Sequence, residues 1–211
     1  AAGHPEDAER SHHFSYEMVA LSHATARELG HAPAPDSEDA QRPFVEVSGR
    51  KGLGVKADDL LDTLMHNAGR EVTARNPELS DRERERIGQM IGVAAVRYFL
   101  IKFSRGKVIA FDIDEALSFE GETGPYLQYA TVRARKILQK LRDRDGVETT
   151  ALLESLASTP TGSLTSEAGD ELWDLILEAS RLDEVTEQAV RTLELSVLAK
   201  YAFGLAQRFN G

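Results

Sequence analysis

Apolar positions recur at three- and four-residue spacing over most of the chain, so its later two-thirds reads as helix. Ala57, Leu60, Leu61, Leu64, Met65 and Ala68 mark one helical face, with Asp58 and Asp59 in the first turn, where carboxylates complement the helix dipole. Ser80 with Glu83 three residues on predicts a capping box, and Ile87, Met90, Ile91, Ala94, Ala95, Tyr98 and Ile101 carry that helix to Ser104-Arg105-Gly106. Val108–Asp112 reads as extended, and Asp114–Leu117 as one helical turn. Thr123 then caps a helix with Pro125 in its first turn, running to about Arg142. On it Leu127, Ala130, Ala134, Ile137, Leu138 and Leu141 form one stripe, while Tyr129, Arg133, Lys136 and Lys140 fall on roughly the opposite side.

Further helices are predicted near Val147–Ala157 and Glu167–Arg181, flanking a Ser/Thr/Pro/Gly-rich linker at Ser158–Ser163. Val185, Ala189, Leu193, Val197, Tyr201 and Leu205 give one long stripe between Asp183 and Phe209, and the lone Trp173 is expected in the core. The first 45 residues are less regular. Phe14–Leu21 reads as a buried strand, Ser22 caps a helix through Leu29, His31–Pro43 reads as loop, and Phe44–Val47 as a short strand entering the Gly-rich turn Ser48–Gly54. The fold expected is mainly α: a helical bundle at 56–211, preceded by a small α/β piece at 1–55.

Composition narrows the chemistry. With no cysteine among 211 residues, disulfides and thiolate metal sites are excluded, and the six histidines show no metal-ligand spacing. No apolar run approaches a membrane-spanning length, so the expected location is the cytoplasm. The net charge of -10 argues against a general nucleic-acid binder, but its distribution matters more. Residues 124–144 carry six Lys/Arg against one Asp, whereas 145–196 carry two Arg against twelve Asp/Glu. Such a run is most often a solvated helix face. Arg97 and Arg105 either extend the basic surface or pair with neighbouring acids.

Two ordered blocks go further. Ser118-Phe119-Glu120-Gly121-Glu122-Thr123-Gly124-Pro125-Tyr126-Leu127-Gln128-Tyr129-Ala130, continuing to Arg133 and Arg135, closely resembles a segment of class I arginyl-tRNA synthetases. There the catalytic part hands over to the helical anticodon-binding domain. Upstream, Tyr16-Glu17-Met18-Val19 and Val47-Ser48-Gly49-Arg50-Lys51-Gly52-Leu53-Gly54 resemble the region around the second class I ATP motif. The resemblance implies an enzyme that activates arginine with ATP, accompanied by Mg2+, and charges arginine tRNA, with no tightly bound cofactor and no metal site of its own. Ser48, Gly49, Arg50 and Lys51 would handle the ATP phosphates, with Ser48, Arg50 and Lys51 in the catalytic role. Tyr126, Gln128 and Tyr129 would meet RNA bases, and Arg133, Lys136 and Lys140 its phosphates. The first class I ATP motif, His-x-Gly-His, is absent, so the chain is expected to be an internal fragment inactive in adenylation by itself. Two other readings stand beside this one: a non-catalytic helical RNA- or protein-binding module, and a helical scaffold whose basic stripe docks an acidic partner.

Overall fold

The computed structural model describes residues 3–47, 54–158 and 167–211. The Gly-rich turn, and with it Ser48, Gly49, Arg50 and Lys51, lies outside the described residues, as does most of the Ser158–Ser163 linker. A short helix α1 (Pro5–Arg10) precedes strand β1 (Val19–Leu21), helix α2 (His23–Glu28) and the single turn α3 (Glu38–Gln41). Two long helices follow, α4 (Ala57–Arg75) and α5 (Asp81–Ile101), then β2 (Ile109–Phe111) and α6 (Ile113–Leu117). Helix α7 (Gly124–Asp145) leads to α8 (Thr149–Ser158), α9 (Glu167–Ser180), α10 (Leu182–Thr192) and α11 (Leu195–Asn210). The mainly α architecture with a small two-stranded sheet agrees with the expected fold class.

Helix α5 is the centre of this arrangement, packing against α4, β2, α6, α7 and α11. Its start is fixed by the predicted capping box: Ser80 N donates to Glu83 Oε2 at 3.1 Å, and Glu83 N to Ser80 Oγ at 3.4 Å. Glycines let α4 approach it closely. A Cβ on Gly88 would come within 3.1 Å of the Gly69 Cα, and one on Gly92 within 3.1 Å of the Met65 Cγ. These pairings run in opposite directions along the two helices, as a short connection requires.

The main core lies where α5 meets the sheet. Phe99 stacks obliquely on Phe111 at 4.7 Å and edge-on to Phe103 at 5.4 Å, among Leu21, Ala26, Val45, Leu64, Ala95, Ile109, Ile113 and Ala116. Each of the two fully buried phenylalanines contributes roughly 1.5–3 kcal/mol by leaving water. Strand β1 pairs in parallel with β2, Val19 opposite Ile109 and Leu21 opposite Phe111, so the small sheet draws on residues from both sides of position 55. Thr25 Oγ1 accepts from Ile113 N at 2.9 Å, tying α2 to the start of α6. A second core joins α10 and α11 through Val185, Ala189, Ala199 and Ala206. The Tyr98 hydroxyl donates to the Ala199 carbonyl at 3.1 Å and joins this unit to α5. Burial, reinforced by the nearby Glu122 carboxylate, pushes the Tyr98 phenol well above its ordinary range, so it remains a donor.

Four expectations are corrected. The strand at Phe14–Leu21 shrinks to Val19–Leu21, and Phe14, Tyr16 and Met18 are exposed, because β1 has β2 on one side and a single bridge to Val45 on the other. That bridge is all that forms of the Phe44–Val47 strand. The loop His31–Pro43 contains α3, capped by Ser37, whose Oγ accepts from Ala40 N. The stripe between Asp183 and Phe209 is broken at Leu193, where a left-handed residue (φ 56°) turns the chain from α10 into α11.

Two substitutions test this packing. Gly69→Ala meets nothing within 4 Å and should stabilise α4 by up to ~1 kcal/mol through helix propensity. Gly124→Ala, whose Cβ would overlap the Ala94 carbonyl, should cost about 1–3 kcal/mol by overpacking; urea unfolding compares both. The capping box predicts a pH effect. Hydrogen bonds from the Ser80 hydroxyl and then its backbone amide hold the Glu83 carboxyl below its ordinary value of 4.5. A carboxyl lowered on folding stabilises the native state above its unfolded value and ceases to do so as pH falls through the folded one. The stability gap between the wild type and Glu83→Gln should therefore be widest at neutral pH and close below about pH 4.5 in urea melts.

Candidate nucleic-acid interface

The segment Ser118–Pro125 builds a corner before it offers any surface. Ser118 Oγ donates to the Glu120 carbonyl at 3.1 Å, the Ser118 carbonyl accepts from Thr123 Oγ1 at 2.6 Å, and Gly121 takes φ 79°. Only glycine adopts that backbone without strain. Thr123 Oγ1 also accepts from Tyr126 N and so caps α7 as the sequence predicted. Gly124 lies directly on the α5 backbone at Ala94 and Ala95, and Pro125 is fully buried. Behind the corner sits Lys102, 6% exposed, a residue that no local pattern had singled out. Its ammonium donates to Glu115 Oε1 at 2.7 Å and the Glu122 carbonyl at 3.2 Å, and lies 4.5 Å from the Phe99 ring centre. An ammonium buried without such partners would cost several kcal/mol, so this set locks α5, α6 and the corner together.

From the corner α7 runs ~33 Å at 1.5 Å per residue, and its two halves differ. In the first half Leu127 and Ala134 are half-buried and Ala130 is buried. Tyr126 packs on Phe203 of α11 with ring centres 5.3 Å apart, and Gln128 Nε2 donates to the Met90 carbonyl of α5 at 3.1 Å. Both are half-buried and engaged with protein. Tyr129 is 52% exposed, with Val132 beside it. Arg133 is exposed and its Nη1 donates to the carbonyl and the Oδ1 of Asn210, at 2.9 and 3.1 Å. Lys136 and Lys140 are exposed, and among the described residues neither they nor Arg135 has an ion-pair partner.

The second half of α7 corrects the expected stripe, because Ile137 and Leu138 remain 44% and 39% exposed. Apolar and cationic side chains therefore share an open surface over this stretch. Trp173 is likewise not core: it is 45% exposed on α9 beside Leu172, Ile176 and Leu177. Arg105, left open by the sequence, pairs with Glu194 at 3.2 Å, while Arg97 is exposed. An exposed group of His4, Glu6 and Asp7 brings three possible ligand atoms within 4.8 Å of one another, an arrangement common on surfaces without an ion. No helix among the described residues is long and apolar enough to cross a membrane.

Residues 127–211 match the DALR anticodon binding domain. Over 211 residues the chain is 34% identical to the arginine–tRNA ligase of Thermococcus sibiricus, an alignment covering 99% of this chain and 28% of that protein. The arginine–tRNA ligase of Lactococcus lactis subsp. cremoris is 32% identical over 205 residues, or 96% of this chain and 33% of the relative. The solved arginyl-tRNA synthetase of Thermus thermophilus has the same fold over 99% of this chain and 28% of its own, with a TM-score of 0.70 and 30% identity. Over nearly its whole length the chain is similar to arginyl-tRNA synthetases. It spans about a third or less of the length of these relatives.

The anticodon-binding match begins at Leu127, inside the first turns of α7, and takes in α8 to α11. The corner at Ser118–Pro125 lies immediately before that match. Of the six residues proposed for RNA, the structure brings Tyr129, Arg133, Lys136 and Lys140 to open surface and turns Tyr126 and Gln128 inward. Replacing Tyr126 with Ala should cost about 2 kcal/mol in thermal or urea unfolding, because nothing then packs on Phe203 from α7. Tyr129→Ala should stay within ~0.5 kcal/mol of wild type, as for an ordinary surface position.

Proposed function

We infer that this chain serves arginine–tRNA ligation by holding arginine tRNA on the exposed side of α7. The observation that carries the reading is the juxtaposition of exposed Tyr129 with the exposed cations Arg133, Lys136 and Lys140 along one helix. A phenol ring can stack on an unpaired base, and Lys or Arg pairs with phosphate, so one face supplies the two contacts single-stranded RNA offers. The surrounding charge supports this. Acidic α9 and α10 repel the phosphate chain from the rest of the surface and leave the α7 stripe as the favourable landing site.

The ATP half of the reading rests on the sequence resemblance. In it Ser48, Gly49, Arg50 and Lys51 contact the phosphates of a Mg2+-accompanied ATP while the arginine carboxylate attacks the α-phosphate. Pyrophosphate leaves, and a hydroxyl of the terminal ribose of the tRNA then takes the arginyl group as AMP leaves. Cationic side chains beside the transferring phosphate stabilise the charge that develops there. The site works in the cytoplasm, where the tRNA pool is charged.

The double variant Arg133→Ala/Lys136→Ala should weaken binding of an arginine tRNA transcript about tenfold near 0.1 M salt. It should also reduce the slope of log K against log salt by ~1 for each phosphate no longer paired. Fluorescence anisotropy titrations over a salt series measure both. An unchanged slope would show that this face does not touch phosphate, and equal affinity for unrelated RNA would replace the reading with a generic RNA module.

A further inference from the structure

Arg105 joins two distant parts of the chain. Its Nε donates to Glu194 Oε1 at 3.2 Å, its backbone amide to Glu194 Oε2 at 3.4 Å, and its Nη2 to the Thr192 carbonyl at 3.3 Å. These partners flank Leu193, the non-glycine residue at positive φ among those described, at the turn from α10 into α11. A leucine in the left-handed region is strained, and such strain persists where surrounding contacts over-determine it. On its other side Arg105 belongs to the N-terminal segment. Its guanidinium lies 4.9 Å from the Phe14 ring centre, and its carbonyl accepts from Glu17 N at 2.9 Å.

Helix α11 starts at this clamp and ends at the RNA-facing side. Sixteen residues give it a length of ~24 Å, and the Tyr98 hydroxyl holds it at Ala199, near the clamped end. At the far end Asn210 receives the two hydrogen bonds from Arg133, whose guanidinium also lies 5.9 Å from the Phe209 ring centre. A cation seated on these acceptors is released when a phosphate takes it, so RNA on α7 changes what holds the far end of α11. Phe203 against Tyr126, Tyr201 on the Ala179 carbonyl and Arg208 beside Glu178 also hold this helix, and a rod held along its length passes a change at one end to the other.

We propose that Arg105 is a positioning residue that, through Glu194 and α11, couples RNA bound on α7 to the Phe14–Glu17 segment. The inference rests on the RNA reading above for its ligand and on the geometry for its path.

Hydrogen exchange at the Glu17 amide, read by NMR or in a peptide covering Phe14–Met18, tests the coupling with an arginine tRNA transcript as probe. Saturating RNA should change Glu17 exchange about fivefold in the wild type, within the usual range of coupling between sites. Arg105→Ala and Glu194→Gln should bind the RNA within twofold of wild type and lose the response, and Arg105→Lys should recover part of it. Circular dichroism melts select the variants that remain folded; Glu194→Gln carries the test if Arg105→Ala does not. RNA bound without a Glu17 response, or a response that survives both substitutions, overturns the coupling. An arm without RNA separates its failure from that of the RNA reading. Arg133→Ala, which removes the α7 hydrogen bonds to Asn210 at the far end of α11, should alter Glu17 exchange severalfold when Arg105 is present and not in the Arg105→Ala or Glu194→Gln background. If it alters nothing, the coupling falls even where RNA binds; if it acts while RNA does not bind, the RNA reading alone falls.

Discussion

Close approach to the backbone of α5 is the constraint from which the rest follows. Helix α4 comes against it at Gly88 and Gly92, and α7 comes against it at Ala94 and Ala95 because residue 124 has no side chain. Farther along, Phe99 enters the main core, Tyr98 reaches α11, and Lys102 gathers α6 and the corner before α7. At the glycines, each approach is made at a distance that a larger residue would forbid. Interiors packed this tightly transmit position rather than absorb it, so the direction in which α7 leaves the body is set to within the tolerance of a methyl group.

That direction places the exposed face that carries Tyr129, Arg133, Lys136 and Lys140. The stretch that most clearly marks the family, Ser118 to Pro125, makes hydrogen bonds and apolar contacts almost entirely within the protein. Its role is to stop one chain direction and start another, with Thr123 capping the new helix and Gly124 seating it. The surface itself begins one turn later and strengthens where α7 leaves its neighbours behind. Half-exposed Ile137 and Leu138 among unpaired cations suit a flat, partly apolar ligand carrying negative charge better than they suit water.

The long charge asymmetry has a physical sense in the folded chain. Glu178 of α9 pairs with Arg181 and Arg208, and Glu194, in the turn between α10 and α11, pairs with Arg105. Arg133, by contrast, leans on uncharged carbonyl oxygens of Asn210, a weaker hold that a phosphate can displace. Cations held by carboxylates build the structure, and cations held by neutral acceptors or by none are left for a partner.

Much of this was legible in the residues: the capping box at Ser80, the Thr123 cap, the long helices and the basic face of α7 all depend on neighbours within a turn or two. By itself the sequence determined where helices start, which side of α7 is polar, and the resemblance to arginyl-tRNA synthetases, because caps, periodicity and short motifs are local signals. Tertiary structure alone decided which of those polar and apolar positions meet protein. Tyr126 and Gln128 turned inward because α11 and α5 pass beside the first turns of α7, whereas Ile137, Leu138 and Trp173 stayed exposed because no described helix covers them. Lys102 and Arg105 gained their roles from partners thirteen to eighty-nine residues away, a separation at which no periodic pattern carries information.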